Sequence, residues 1–148
     1  GKSGSLSAAA AREGGASLVI AVVPTQSEAE AVAASGLCDH VIVADARNPV
    51  AVRNALLSTC GRKADVTVVC VDVPGCEGAA VLATEDGGTV IFFSMATSFA
   101  AAALGAEGVA ADVTMLIGNG FVPGHSEYAL DLLRRTAGVR DLFERRLR

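Results

Sequence analysis

Residues 65–93 read DVTVVCVDVPGCEGAAVLATEDGGTVIFF. Two apolar, β-branched runs, Asp65–Val71 and Gly88–Phe93, bracket a stretch of small residues, Gly75–Thr84. The runs are continuous and do not alternate apolar with polar residues. That pattern predicts strands covered on both faces, joined by a small-residue helix. A strand, helix, strand unit of this length pairs its strands in parallel through a right-handed crossover.

The same alternation continues on both sides. Upstream, Ser17–Val23 (SLVIAVV) and Asp39–Ala44 (DHVIVA) are expected strands, separated by a helix over Gln26–Ser35 that Gly36 closes. A further helix is expected over Asn48–Cys60, with Pro49 at its first position and Gly61 past its end. Downstream come a short helical turn at Phe99–Leu104, a last strand at Asp112–Ile117, and closing helices at His125–Thr136 and Val139–Leu147. Alternating strands and helices with no internal repeat or low-complexity linker predict one α/β domain over residues 1–148, a doubly wound parallel sheet of the Rossmann type.

The composition fits that class. Hydrophobic residues make up 51% of the 148 and charged residues 19%, which suits a packed core and disfavours disorder. The formal net charge of −4 gives no basic surplus for a phosphate backbone, so no nucleic-acid partner is expected. The late cluster Arg134, Arg135, Arg140, Arg145, Arg146 and Arg148 is interleaved with acids and reads as a solvated helix face. Cys38, Cys60, Cys70 and Cys76 form no C-x-x-C pair, and the only histidines are His40 and His125, so no metal site is expected. Cys38 and Cys70 lie in apolar runs and are expected to be buried. No stretch has the pattern of a secretory signal or a membrane span, and a cytoplasmic, membrane-independent protein is expected.

The first residues, GKSGSLSAAAAREGG, place Gly1 and Gly4 three apart, before a helix expected from Ser5 to about Glu13. Gly1, Lys2, Ser3 and Gly4 have the form of the second half of a glycine-rich phosphate turn. There, glycine lets the backbone approach a pyrophosphate, and the helix N-terminus offers its free N–H groups. A Rossmann sheet places a strand before that turn, so the expectation is a sheet without its first strand in this chain, as in a piece of a longer protein. Gly1-Lys2-Ser3 also fits the end of a P-loop, with Val68–Asp72 in the place of a metal-binding strand. Nothing later has the form of a switch segment, which favours the dinucleotide reading.

Beyond Asp65, the helix after DVTVVCVD, the strand GGTVIFF, the strand DVTMLIG and the final helix EYALDLLRR are in outline similar to the cofactor domain of medium-chain dehydrogenases. CVDVPGCEGAAVLAT, FFSMATSFAAAALGAEGVAADVTMLIGNG and GKSG more closely resemble the family of L-erythro-3,5-diaminohexanoate dehydrogenases. The resemblance implies NAD- or NADP-dependent oxidative deamination of L-erythro-3,5-diaminohexanoate to 5-amino-3-oxohexanoate in lysine fermentation, chemistry on a CH–NH2 donor. This chain would supply the cofactor-binding domain. A preceding catalytic domain would complete the substrate site, so the piece alone is expected to be inactive.

In a sheet of this kind the cofactor lies along the carboxyl ends of the strands. After the first strand stand Thr25, Gln26 and Ser27. No acid occupies the place that usually holds the ribose 2′-hydroxyl of NAD, so both NAD and NADP remain candidates. A plain helix cap at Ser27 is the competing reading. Asp45 and Ala46 would flank the adenine, with a capping role for Asp45 equally available. Val71, Asp72 and Val73 would lie at the nicotinamide ribose. Ser94, Met95 and Ala96 belong to a run, Ser94–Ser98, unusually polar for a link between two buried elements, and would approach the nicotinamide. Asn119 and Gly120 follow the last strand. His125 is expected at the surface start of a helix, and Glu77 and Glu107 are expected to be surface carboxylates. No catalytic acid or base stands out.

The resemblance also implies a homodimer formed along the edge strand Asp112–Gly118. The rival functions are another medium-chain reductase acting on an alcohol or enone, a P-loop nucleotide hydrolase, and a non-catalytic nucleotide sensor.

Overall fold

The computed structural model describes residues 1–118, 122–145 and 147. In order they form α1 (Lys2–Glu13), β1 (Ile20–Val23), α2 (Gln26–Ala34), β2 (His40–Val43), α3 (Pro49–Cys60), β3 (Ala64–Val69), α4 (Glu77–Ala83), β4 (Thr84–Phe92), α5 (Phe99–Gly108), β5 (Val113–Ile117), α6 (His125–Arg135) and α7 (Ala137–Glu144). All described strand pairings are parallel, in two sheets ordered β1-β2 and β3-β4-β5, which is a Rossmann-like α/β arrangement. The chain divides into two compact units, residues 1–43 with 120–148, and residues 44–119.

In the first unit β1 pairs with β2 from Ile20↔His40 to Val23↔Val43. Asp39 fastens the start of that pair: its N–H donates to the Val19 carbonyl, and its carboxylate accepts from the Val19 N–H and from Arg12, both at 2.7 Å. Ala9 of α1, Leu37, Leu132 of α6 and Val139 of α7 form a shared apolar core. Glu13 ties the helices at its rim, accepting from the Tyr128 hydroxyl at 2.8 Å and from Arg135 at 2.6 Å. A Cβ on Gly138 would collide with the Ser35 carbonyl oxygen, so glycine is what allows α7 to sit on the end of α2.

Two boundaries here differ from expectation. α1 begins at Lys2, three residues before Ser5, with Gly1 as its N-cap and Gly4 inside the helix. The Ser5 N–H already reaches the Gly1 carbonyl at 3.1 Å, closing the first turn, and the Ser5 hydroxyl donates to Lys2 O at 2.9 Å. α7 begins two residues before Val139, its first turn running so close to Ser35 that only glycine fits at position 138. Arg146 and Arg148 of the basic cluster lie outside the described residues.

In the second unit β4 lies between β3 and β5. It starts at Thr84, four residues before Gly88, and pairs there with Ala64 before a bulge shifts the register to Val66↔Thr89. A Cβ on Gly88 would stand 2.7–2.8 Å from Thr84 Cγ2, Asp65 O and Glu85 O, so the bulge needs glycine there. The buried Thr84 hydroxyl donates to the Ala80 carbonyl at 2.8 Å and lies 2.7 Å from the Thr67 hydroxyl.

α4 and α5 cover one face of this sheet. Val69, Val90 and Phe92 meet Ala80 and Ala102 there, with Val113 and Met115 against them. Small residues on the helices let the backbones come close. α5 is a full ten-residue helix instead of a short turn at Phe99–Leu104: Ser98 caps it, and the alanine-rich run carries the helix past Gly105. The expectation of strands covered on both faces is overturned. Successive strand residues point to opposite faces, and Val66, Val68 and Leu116 are exposed while Val69, Val90 and Phe92 are buried. A continuous apolar run records what a strand can tolerate, not that both faces are covered in this chain.

Candidate functional site

In the second unit the carboxyl ends of β3 and β4 bring two candidate loops together. β3 ends at Val69, so Val71, Asp72 and Val73 lie beyond it, all exposed. β4 ends at Phe92, and the Phe93 N–H still donates to Val69 O at 3.0 Å, continuing the pairing. The chain then enters Ser94–Ser98. The buried Ser94 hydroxyl faces Asp72 Oδ1 at a long 3.4 Å and accepts from the Ala96 N–H at 3.1 Å. Met95, between them, is 88% exposed. Asp72, Ser94, Met95 and Ala96 therefore share one edge of this sheet.

Ser98 ends the loop. Its hydroxyl accepts from the Ala101 N–H at 3.3 Å and caps α5. Its own N–H donates to Glu77 Oε1 at 2.6 Å. Glu77 is only 5% exposed, which corrects the expectation of a surface carboxylate. The packing of α4 against its neighbours, with Ala79, Ala80 and Ala83 all buried, draws the first turn of α4 inward and its carboxylate with it. Glu107 is exposed, as expected.

Asp45 is paired, not capping. The Arg47 guanidinium meets it with two bonds, at 2.9 and 2.8 Å, and the Arg47 N–H adds a third at 2.9 Å. Those hydrogen bonds hold the Asp45 carboxyl down at about 2. The cap of α3 is the Asn48 side chain, which accepts from the Ala51 N–H at 3.0 Å. Arg47, passed over in the sequence, is thus the cation beside Asp45 and Ala46. Cys76 is the buried cysteine, whereas Cys38 and Cys70 are half-buried. Burial raises the Cys76 thiol, helped by the nearby charges of Glu77 and Asp45.

In the first unit Thr25, Gln26 and Ser27 are exposed at the start of α2. The N-cap is Thr25, not Ser27: the backbone stays extended through Thr25, whose hydroxyl accepts from the Glu28 N–H at 3.2 Å. Gln26 reaches Glu30 at 3.3 Å and lines a depression of about 370 Å3 between α2 and β2. Gly1 is the N-cap of α1, and Lys2, Ser3 and Gly4 open its first turn, with the Lys2 ammonium 5.8 Å above the Phe143 ring. His125 opens α6 at the surface. Asn119 and Gly120 lie outside the described residues.

Comparison with known proteins adds one consistent result. No family model matches the chain. Nearly all of it resembles one dehydrogenase. It is 43% identical over 148 residues to L-erythro-3,5-diaminohexanoate dehydrogenase of Acetoanaerobium sticklandii, covering 98% of this chain and 43% of that protein. It is 40% identical over 146 residues to the protein of the same name from Fusobacterium nucleatum subsp. nucleatum, covering 97% of this chain and 42% of that protein. The chain thus spans less than half the length of these curated relatives. Among the described residues, no helix is long and apolar enough to cross a membrane.

Proposed function

We propose that this chain is the nicotinamide-cofactor-binding part of a dehydrogenase that oxidatively deaminates L-erythro-3,5-diaminohexanoate. The observation that carries the reading is the likeness, along nearly the whole chain, to two enzymes of that name. The parallel strands support it, because folds of this kind take dinucleotides at the carboxyl ends of such strands.

The residues present fit such a ligand in kind. The edge of β3 and β4 carries polar groups, Asp72 and Ser94, beside an exposed apolar side chain, Met95, a mixture suited to a ribose and a flat ring. Arg47 and Asp45 offer a planar cation and a carboxylate beside Ala46, and Thr25–Ser27 are exposed at a helix start. Gly1–Gly4 supply the N-cap and first turn of α1, whose N–H groups suit a phosphate. When bound, a nicotinamide dinucleotide would supply the hydride-accepting chemistry that such a deamination needs. The protein's part in this chain is to bind and orient.

The test uses the full-length protein with L-erythro-3,5-diaminohexanoate and either NAD or NADP, following reduced-nicotinamide absorbance and ammonium release. Turnover with either cofactor is the expected result. Absence of turnover with both, by protein that is folded, refutes the substrate assignment.

A further inference from the structure

We propose that Glu77 is a positioning residue for the loop Ser94–Ser98, holding it in the shape that receives the nicotinamide end of the cofactor. This rests on the reading above that the loop belongs to the cofactor site. The loop has five residues, with a long contact to Asp72 outside it at its start and a short hydrogen bond to Glu77 outside it at its end. At its start, the buried Ser94 hydroxyl lies between Asp72 and the Ala96 N–H. At its end, the Ser98 N–H donates to Glu77 at 2.6 Å, across from α4 to the cap of α5. Between the two anchors the loop exposes Met95 almost completely.

A carboxylate that is 5% exposed is expensive to keep unless it accepts a strong hydrogen bond. Glutamate in a first helical turn commonly serves the helix dipole from the surface, where water solvates it. Glu77 does something different, since its carboxylate is turned inward onto the backbone of a separate helix. It fixes a backbone N–H and no side chain, so its effect is on where the loop runs. A loop held in place before its ligand arrives does not have to be ordered on binding. The consequence is a Glu77 that raises cofactor affinity without touching the cofactor.

The experiment uses the full-length protein and the variants Glu77→Ala, Glu77→Asp and Glu77→Gln, with Thr84→Val as a control. Thr84→Val disturbs buried hydroxyl bonds of the same unit away from the loop. Two readouts are taken: hydrogen exchange at the Ser98 amide without cofactor, and the Kd and KM for NAD and NADP beside kcat. Loss of a buried hydrogen bond to a charged acceptor predicts that Glu77→Ala and Glu77→Asp speed Ser98 exchange and weaken cofactor binding, each about tenfold, with kcat changed less. Glu77→Asp keeps the charge but not the reach, and remains informative if Glu77→Ala does not fold. Glu77→Gln keeps the reach and an acceptor oxygen, and should stay within about threefold of the parent. Thr84→Val should lower the melting temperature and leave cofactor affinity alone.

Fast Ser98 exchange with unchanged cofactor affinity would overturn the proposal. So would affinity losses in all variants, Thr84→Val included, that simply follow melting temperature. If the parent protein binds neither NAD nor NADP, the reading of the loop as a cofactor site fails, while the exchange data still report on the Glu77–Ser98 bond itself.

Discussion

Truncating Phe92 to alanine removes the side chain that joins the second unit's core to its candidate site. Phe92 is 1% exposed and is the last residue of β4, one residue upstream of Phe93 and two of Ser94. Its ring meets that of Phe99, the first residue of α5, edge to face, with centroids 6.5 Å apart and planes at 78°. A phenylalanine side chain buries about 200 Å2. At about 25 cal/mol per Å2 that is about 5 kcal/mol, and alanine recovers a small part of it. The expected loss of about 3–4 kcal/mol agrees with the usual cost of Phe→Ala in a core. Phe99 is 48% exposed, so Phe99→Ala should cost about half as much. The ring pair adds a coupling of about 1 kcal/mol, which the double variant isolates. Native-state hydrogen exchange at the Val90 and Ile91 amides, across a urea series, reads the stability of this unit directly. A Phe92→Ala loss below about 1 kcal/mol, or strictly additive single and double variants, would refute the picture of Phe92 as the keystone of this core.

Other expectations follow from single contacts. Gly138→Ala forces a methyl against the Ser35 carbonyl, and should destabilise the first unit by about 1–3 kcal/mol, read by native-state hydrogen exchange at the amides of β1 and β2. The Asp39 carboxyl is held below its ordinary range, first by the Val19 N–H and then by Arg12, so its folded pKa lies under its unfolded one. Its stabilisation is therefore complete above the ordinary carboxylate range and fades as pH falls below about 4 through the folded value. The melting-temperature gap between the parent and Asp39→Asn should accordingly close on acidification, and a gap independent of pH contradicts the assignment. A homodimer along the edge strand Asp112–Gly118, which the sequence resemblance implies, predicts that Ile117→Asp, at a residue 61% exposed on β5, shifts the full-length protein toward monomer in sedimentation. An unchanged sedimentation coefficient would refute a dimer along this strand.

What the sequence discloses depends on how local the cause is. The strand and helix order is legible because apolar runs, Pro49 at a helix start and Gly61 at a helix end act within a few residues, and α3 falls at Pro49–Cys60 as those signals require. Boundaries that depend on a distant partner are not legible. α7 starts early, with Gly138 close against Ser35, and β4 starts early because Thr84 pairs with Ala64 ahead of a bulge. The candidate site divides the same way. The polar run after GTVIFF singles out Ser94–Ser98 as a candidate loop, and the structure sets Ser94 against Asp72, two residues that the strand ends alone nominate.

Glu77 was hidden for the opposite reason. Its partner is a backbone N–H 21 residues away, and every residue but proline has one, so no residue type at position 98 announces the bond. A glutamate at a helix start ordinarily indicates a solvated charge near the positive end of the dipole. Here the buried alanines at 79, 80 and 102 accompany close packing around α4, and Glu77 is buried with them. Once inward it must find a donor, and the start of α5 has an N–H to give. The useful signal is therefore a combination: an acid at the start of an alanine-rich helix, followed by a polar loop that ends in the cap of a second alanine-rich helix.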